Sequence, residues 1–211
     1  SMKHPATLFL LAALVASVAP AQESPQAAYD GLVEEYIVAQ KKYLADTRAV
    51  YRSEEFKKLR AARDQEGTRA LMAKFARPYE TFGPKFLALA KGHEGKPFEA
   101  ECLGWVIANS RNKKHLQPAI NGLMTRHLDG EVMARVMSRP FNLMGLGKTF
   151  EGIRDAVIER CKNKETVGQA LFWKQQYMRR GSEEKQKITD RIKKDFPGTL
   201  AATRVTGEEY A

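Results

Sequence analysis

The sequence predicts an all-α chain of stacked antiparallel helical hairpins, arranged as an α-solenoid or an irregular helical bundle. Apolar residues recur at the 3.6-residue period of a helix from end to end, and the period-two alternation of strands is nearly absent. Glycine, proline and aspartate clusters cut this pattern into short helical lengths.

Residues 1–21 read as a secretory signal peptide. Lys3 and His4 precede an apolar run from Ala6 to Ala19, and the small-residue triplet Ala19-Pro20-Ala21 follows. The run spans about 14 residues, short of the roughly 20 that a membrane-spanning helix needs. Cleavage after Ala21 would leave a chain beginning at Gln22, with no permanent membrane span, in the periplasm or outside the cell. Residues 22–78 then form N-terminal charged helices, and residues 79–211 a helical-hairpin repeat region packed with them as one domain.

The first mature helix, about Pro25 to Ala45, sets Tyr29, Leu32, Val33, Tyr36, Ile37 and Gln40 along one stripe. Two short helices follow, about Glu54 to Asp64 with Phe56 and Leu59, and about Thr68 to Ala76 with Leu71, Met72 and Phe75. Pro78 ends the third, because proline disfavours helical geometry in the residue before it. Phe82, Phe86, Leu89 and Ala90 then mark one face of a helix ending near Lys91. The turn GHEGKP leads into a helix carrying Phe98, Cys102, Leu103, Trp105, Val106 and Ile107, apolar nearly all round and so enclosed by neighbours.

A helix from about Lys113 to Leu128 carries Leu116, Ile120, Leu123, Met124 and His127, and Asp129 is expected to cap the short helix of Val132, Met133, Val136 and Met137. The stretch NLMGLGKTF reads as a flexible connection whose Thr149 caps the helix of Phe150, Ile153, Val157, Ile158 and Cys161. A helix from about Glu165 to Arg179 stops before Gly181. Ser182 caps the last one, through Ile188, Ile192 and Phe196, which Pro197-Gly198 closes.

Two of these hairpins resemble each other. Phe86 to Val106 and Ile153 to Lys174 each run from an apolar-faced helix through a polar turn into a Leu-x-Trp, at Trp105 and Trp173, as in a divergent repeat of helix pairs.

The stretches AYDGLVEEY, RPYETFGPKFLALAKGH, FEAECLGWVIANS, HLQPAINGLMTRHLDGEVM and TVGQALFWKQQYMRRGSEEKQ occur in that order, followed by KDFPGTL. Together they resemble the helical N-terminal region of exported redoxin-domain proteins of planctomycete-type bacteria, in which a thioredoxin-like domain follows the helices. The resemblance implies an all-helical fold and an envelope location. It carries over no catalytic residue, because no Cys-x-x-Cys is present. The tail DFPGTLAATR also resembles the end of a tetratricopeptide-like unit.

The formal charge of +10 is concentrated late in the chain. Arg179, Arg180, Lys185, Lys187, Arg191, Lys193 and Lys194 form a candidate basic face for an anionic polymer or membrane surface. Nucleic acid is not an expected partner, since no stacking aromatics interleave with these cations. Gly147-Lys148-Thr149 is not a phosphate loop, which needs a preceding strand and a glycine where Asn142 stands. His93, His115 and His127 lack the close pairing of zinc ligands, and neither Glu99 with Glu101 nor Glu183 with Glu184 faces its neighbour as an acid–base couple. These carboxylates read as solvated first-turn charges. No cofactor is expected.

The expectation is therefore an exported, non-enzymatic scaffold that presents a surface to a protein partner. The alternative is an accessory of an envelope thiol–disulfide (redoxin) system, with Cys102 and Cys161 forming a disulfide; the opposing reading of that pair is two buried apolar thiols.

Overall fold

A computed structural model describes residues 24–207, so the expected export signal at residues 1–21 lies outside the described residues. The described chain is helical throughout, with twelve helices and no strand among these residues. None of the helices is long and apolar enough to cross a membrane.

α1 (Pro25–Arg52) runs farther than its apolar stripe suggested. Ser24 caps its start by accepting the Ala27 N–H, and it continues to Ser53, whose extended backbone ends it and whose hydroxyl then accepts the Phe56 N–H of α2 (Glu54–Ala61). One serine thus serves as the stop of one helix and the cap of the next. α3 (Gln65–Ala73) packs back on α2 as a small hairpin beside the end of α1. Pro78 does not close α3: it occupies the first turn of α4 (Pro78–Lys91), where a missing N–H costs nothing.

The expected hairpin is present. α4 turns at Gly92 to Lys96 into α5 (Pro97–Asn109), and α6 (Lys113–Arg126) returns along α5. Phe86, Cys102, Val106, Leu116 and Leu123 are fully buried between these three helices. Full burial of side chains of this size contributes on the order of 2 kcal/mol each. α1 covers the outer side through aromatic edges: Tyr29 stands edge-on to Phe86 and Phe98, and Tyr36 to Phe82 and Trp105. Phe86 stacks on Trp105 with ring centres 3.7 Å apart.

α7 (Glu131–Ser138) lies between α5 and α10 (Lys164–Gln176) and joins the two hairpin groups. Asp129 does not cap it. The N-cap is Gly130, and Asp129 instead accepts the Lys162 N–H at 2.6 Å while its carbonyl takes the Asn163 amide. Its carboxylate is used across the fold, to tie the α6–α7 turn to the turn between the second pair of helices.

The NLMGLGKTF stretch is likewise not a plain connection. It holds a short helix, α8 (Phe141–Met144), and α9 (Lys148–Arg160) begins at Gly147, whose φ of 57° suits glycine. Thr149 lies inside α9 rather than at its cap. α9 and α10 form the second hairpin, α11 (Glu183–Asp195) starts at Ser182 as expected, and α12 (Leu200–Thr206) adds a helix beyond Pro197-Gly198. Val167, Leu171, Ile192, Phe196 and Ala201 make a second, smaller core there.

Candidate interaction groove

A groove crosses the last two turns of α5. Its polar end, about 390 Å³, lies between Tyr36, Gln40 and Tyr43 of α1 and Arg77 and Tyr79 at the start of α4, with Arg111 and Asn142 closing the far side. Positions 36, 40 and 43 are spaced to share one helix edge, so α1 sets two phenols and an amide in a row. Its apolar end, about 380 Å³, is floored by Trp105 and Ile107 and walled by Tyr29, Val132 and Val136, with Arg135 and Arg139 at the rim. Ala108 and Asn109 line both chambers.

The local structure explains why this surface is open. Asn142 donates from its amide nitrogen to the carbonyls of Ile107 and Ala108, at 3.0 and 2.7 Å. These are carbonyls of the last turn of α5, which have no helical partner of their own, and the clamp fixes α8 as a lip of the groove. Asn109 turns back to the Trp105 carbonyl at 2.9 Å. Gly104 permits the close approach of α7: a Cβ there would meet Val132 Cγ1 at 2.5 Å. Gly104→Ala is therefore expected to push α7 outward and cost about 1–3 kcal/mol, read as a lower denaturation midpoint, while alanine at exposed Gly152, with open space around it, is not.

The groove is rich in donors and cations. Glu101 at its edge is ion-paired with Arg135, and Arg77 donates to the Tyr79 hydroxyl at 2.9 Å. Arg111 and Arg139 are exposed and have no ion-pair partner among the described residues. Such a surface suits an acidic, partly apolar ligand.

The groups that resemble catalytic ones lie elsewhere and are committed to structure. Glu99, expected to be solvated, is only 2% exposed. It receives Arg126 Nε at 3.1 and 3.0 Å, a second Arg126 nitrogen, the His127 ring at 2.9 Å and the Gly95 N–H at 2.7 Å. Burial alone pushes its carboxyl up, yet these hydrogen bonds outweigh it and hold the group down at about 2. It remains a fully bonded carboxylate that locks the start of α5 to the end of α6. Ser110 and His115 are 3.3 Å apart, but both are buried, and the Ser110 hydroxyl is occupied by the Asn112 N–H. His93 meets the edge of Phe98. No group of three or more histidine, cysteine, aspartate or glutamate side chains among the described residues is placed to hold a metal ion.

Cys102 and Cys161 are both free thiols, so the disulfide offered as an alternative is not formed in this structure. Cys102 is fully buried in α5, and burial, followed by the charge of Glu101, pushes its thiol up to about 12. Cys161 caps the end of α9 and donates to the Leu128 carbonyl at 3.2 Å; burial raises its thiol as well. A thiolate is disfavoured at both positions.

The seven late cations do not make one uniform face. Lys187 pairs with Glu183 and Arg191 with Asp195, while Lys185 is half-buried on the inner side of α11. Arg179, Arg180, Lys193 and Lys194 are exposed. Trp173 is half-buried and donates its indole N–H to the Met137 carbonyl at 2.8 Å.

Of the groove residues, Tyr29, Tyr36, Gln40, Trp105, Ile107, Val132 and Val136 were visible in the sequence as members of apolar stripes. The arginines and Asn142 were not, because their convergence from α4, α7, α8 and the α5–α6 turn leaves no local spacing to read. The one available signal was the row of polar tips at Tyr36, Gln40 and Tyr43 on an otherwise apolar stripe. No protein family, curated protein or solved structure matches the chain.

Proposed function

We propose that the protein is an exported, non-enzymatic helical scaffold that binds an acidic, partly apolar segment of a protein partner in the groove across the end of α5. The observation that carries this reading is the pairing of a donor-rich, arginine-lined chamber with an apolar one at Ala108 and Asn109. An extended segment can place a carboxylate against Arg77 and Arg111 and an apolar side chain over Trp105. Buried aromatic floors edged by arginine are typical of the positions that dominate binding energy at interfaces. Export rests on the composition of residues 1–21.

The test is selection of displayed random peptides on the immobilised protein. Enriched peptides should combine Asp or Glu with an aromatic or aliphatic residue, and Ala108→Trp, at an exposed position that lines both chambers, should abolish their retention without changing the helical spectrum. Retention that survives Ala108→Trp would refute the groove reading. The redox-accessory reading has less support, because it needs an accessible thiolate and Cys102 is fully enclosed.

A further inference from the structure

We propose that the outward face of α1 pairs antiparallel with the same face of a second copy of this chain. The inner face of α1 is occupied by the aromatic contacts of Tyr29 and Tyr36. On the opposite side Ile37, Val38 and Leu44 are 45%, 68% and 41% exposed, so Ile37 does not belong to the buried stripe where its spacing had set it, and bare apolar residues are unusually concentrated on this one helix. Asp30, Glu34, Lys41, Arg48 and Arg52 fall on that same face at helical spacing.

Charge identifies the occupant. The face is acidic toward the start of α1, apolar in the middle and basic toward its end. Glu34, Lys41, Arg48 and Arg52 have no ion-pair partner among the described residues, and Asp30 accepts only the Gln26 amide four residues earlier. Charges of α1 outside this face are satisfied within the chain, Glu35 by Lys85 and Lys42 by Asp46. A two-fold axis near Lys41 sets Asp30 opposite Arg52, Glu34 opposite Arg48, and Ile37 and Val38 opposite Ala45 and Leu44. Such an isologous contact is self-complementary by symmetry. A parallel pair would instead oppose like charges. The cost of the antiparallel register is that Lys41 abuts its twin at the axis.

Sedimentation of the purified protein across a concentration series tests this, independently of the groove. A reversible dimer is expected, weakened about tenfold by either Glu34→Arg or Arg48→Glu, each of which creates two like-charge contacts per dimer. The double reversal should restore self-association, and mixing the two single variants should give a heterodimer. Lys41→Leu should tighten the dimer. A monomer at all concentrations, including for Lys41→Leu, or a dimer indifferent to both reversals, would overturn the proposal, as would single variants that fail to complement each other on mixing. Circular dichroism establishes that these surface variants are folded.

Discussion

Glu99→Gln is expected to lower the stability of the protein by about 3 kcal/mol at pH 7, and the deficit is expected to narrow as the pH falls from 4.5 toward 2. The carboxyl of Glu99 is held at about 2 rather than its ordinary 4.5 by Arg126, His127 and the Gly95 N–H, which together overcome its burial. A group whose folded value lies below its unfolded one releases protons on folding. Its stabilisation is complete above 4.5 and disappears as the pH passes down through 2. The separation of the two values corresponds to about 3–4 kcal/mol, and screening at the partly exposed Arg126 trims this to about 3 kcal/mol. Urea denaturation of both proteins at pH 7, 4 and 2 reads the difference directly. A deficit of the same size at all three values would show that shape, rather than ionisation, is what Glu99 contributes. Arg126→Ala should be at least as damaging at pH 7, since it leaves a buried charge without its main partner.

Phe86→Ala should cost about 3–5 kcal/mol, the usual range for an aromatic ring removed from a closed core. Phe86 has no exposed surface, stacks on Trp105 and meets the edge of Tyr29, so one truncation loosens α4, α5 and the inner face of α1 together. Faster amide exchange in α1 should accompany the loss of stability. Phe141→Ala is the matched control. Its ring is 67% exposed, and truncation there should change stability by less than about 0.5 kcal/mol. Equal effects at the two positions would mean that the packing around Phe86 is not the central contact of the fold.

The fold was largely legible because its determinants are local. The stripe of Phe82, Phe86, Leu89 and Ala90, the punctuation GHEGKP and the all-round apolar helix of Phe98 to Ile107 each depend on spacing within about one or two helical turns, and together they define the α4–α5 hairpin. Ser182 was readable as a cap for the same reason. Where neighbours distant in sequence compete, the local reading failed. Asp129 is a good capping residue by type, but the Lys162 N–H claims its carboxylate, and Glu99 reads as a first-turn charge until Arg126 and His127 arrive from the far end of α6. The short helices α8 and α12 lack the length over which an apolar period can be recognised.

What the sequence determined by itself was the succession of helices and most of the faces they bury, since period and caps are properties of consecutive residues. Only the tertiary structure decided which polar groups are enclosed, which cations converge on the groove and that Cys102 is sealed. Those are consequences of distance in space, and the long-range pairs that set them, such as Glu99 with Arg126 or Asn142 with Ile107, obey no spacing along the chain.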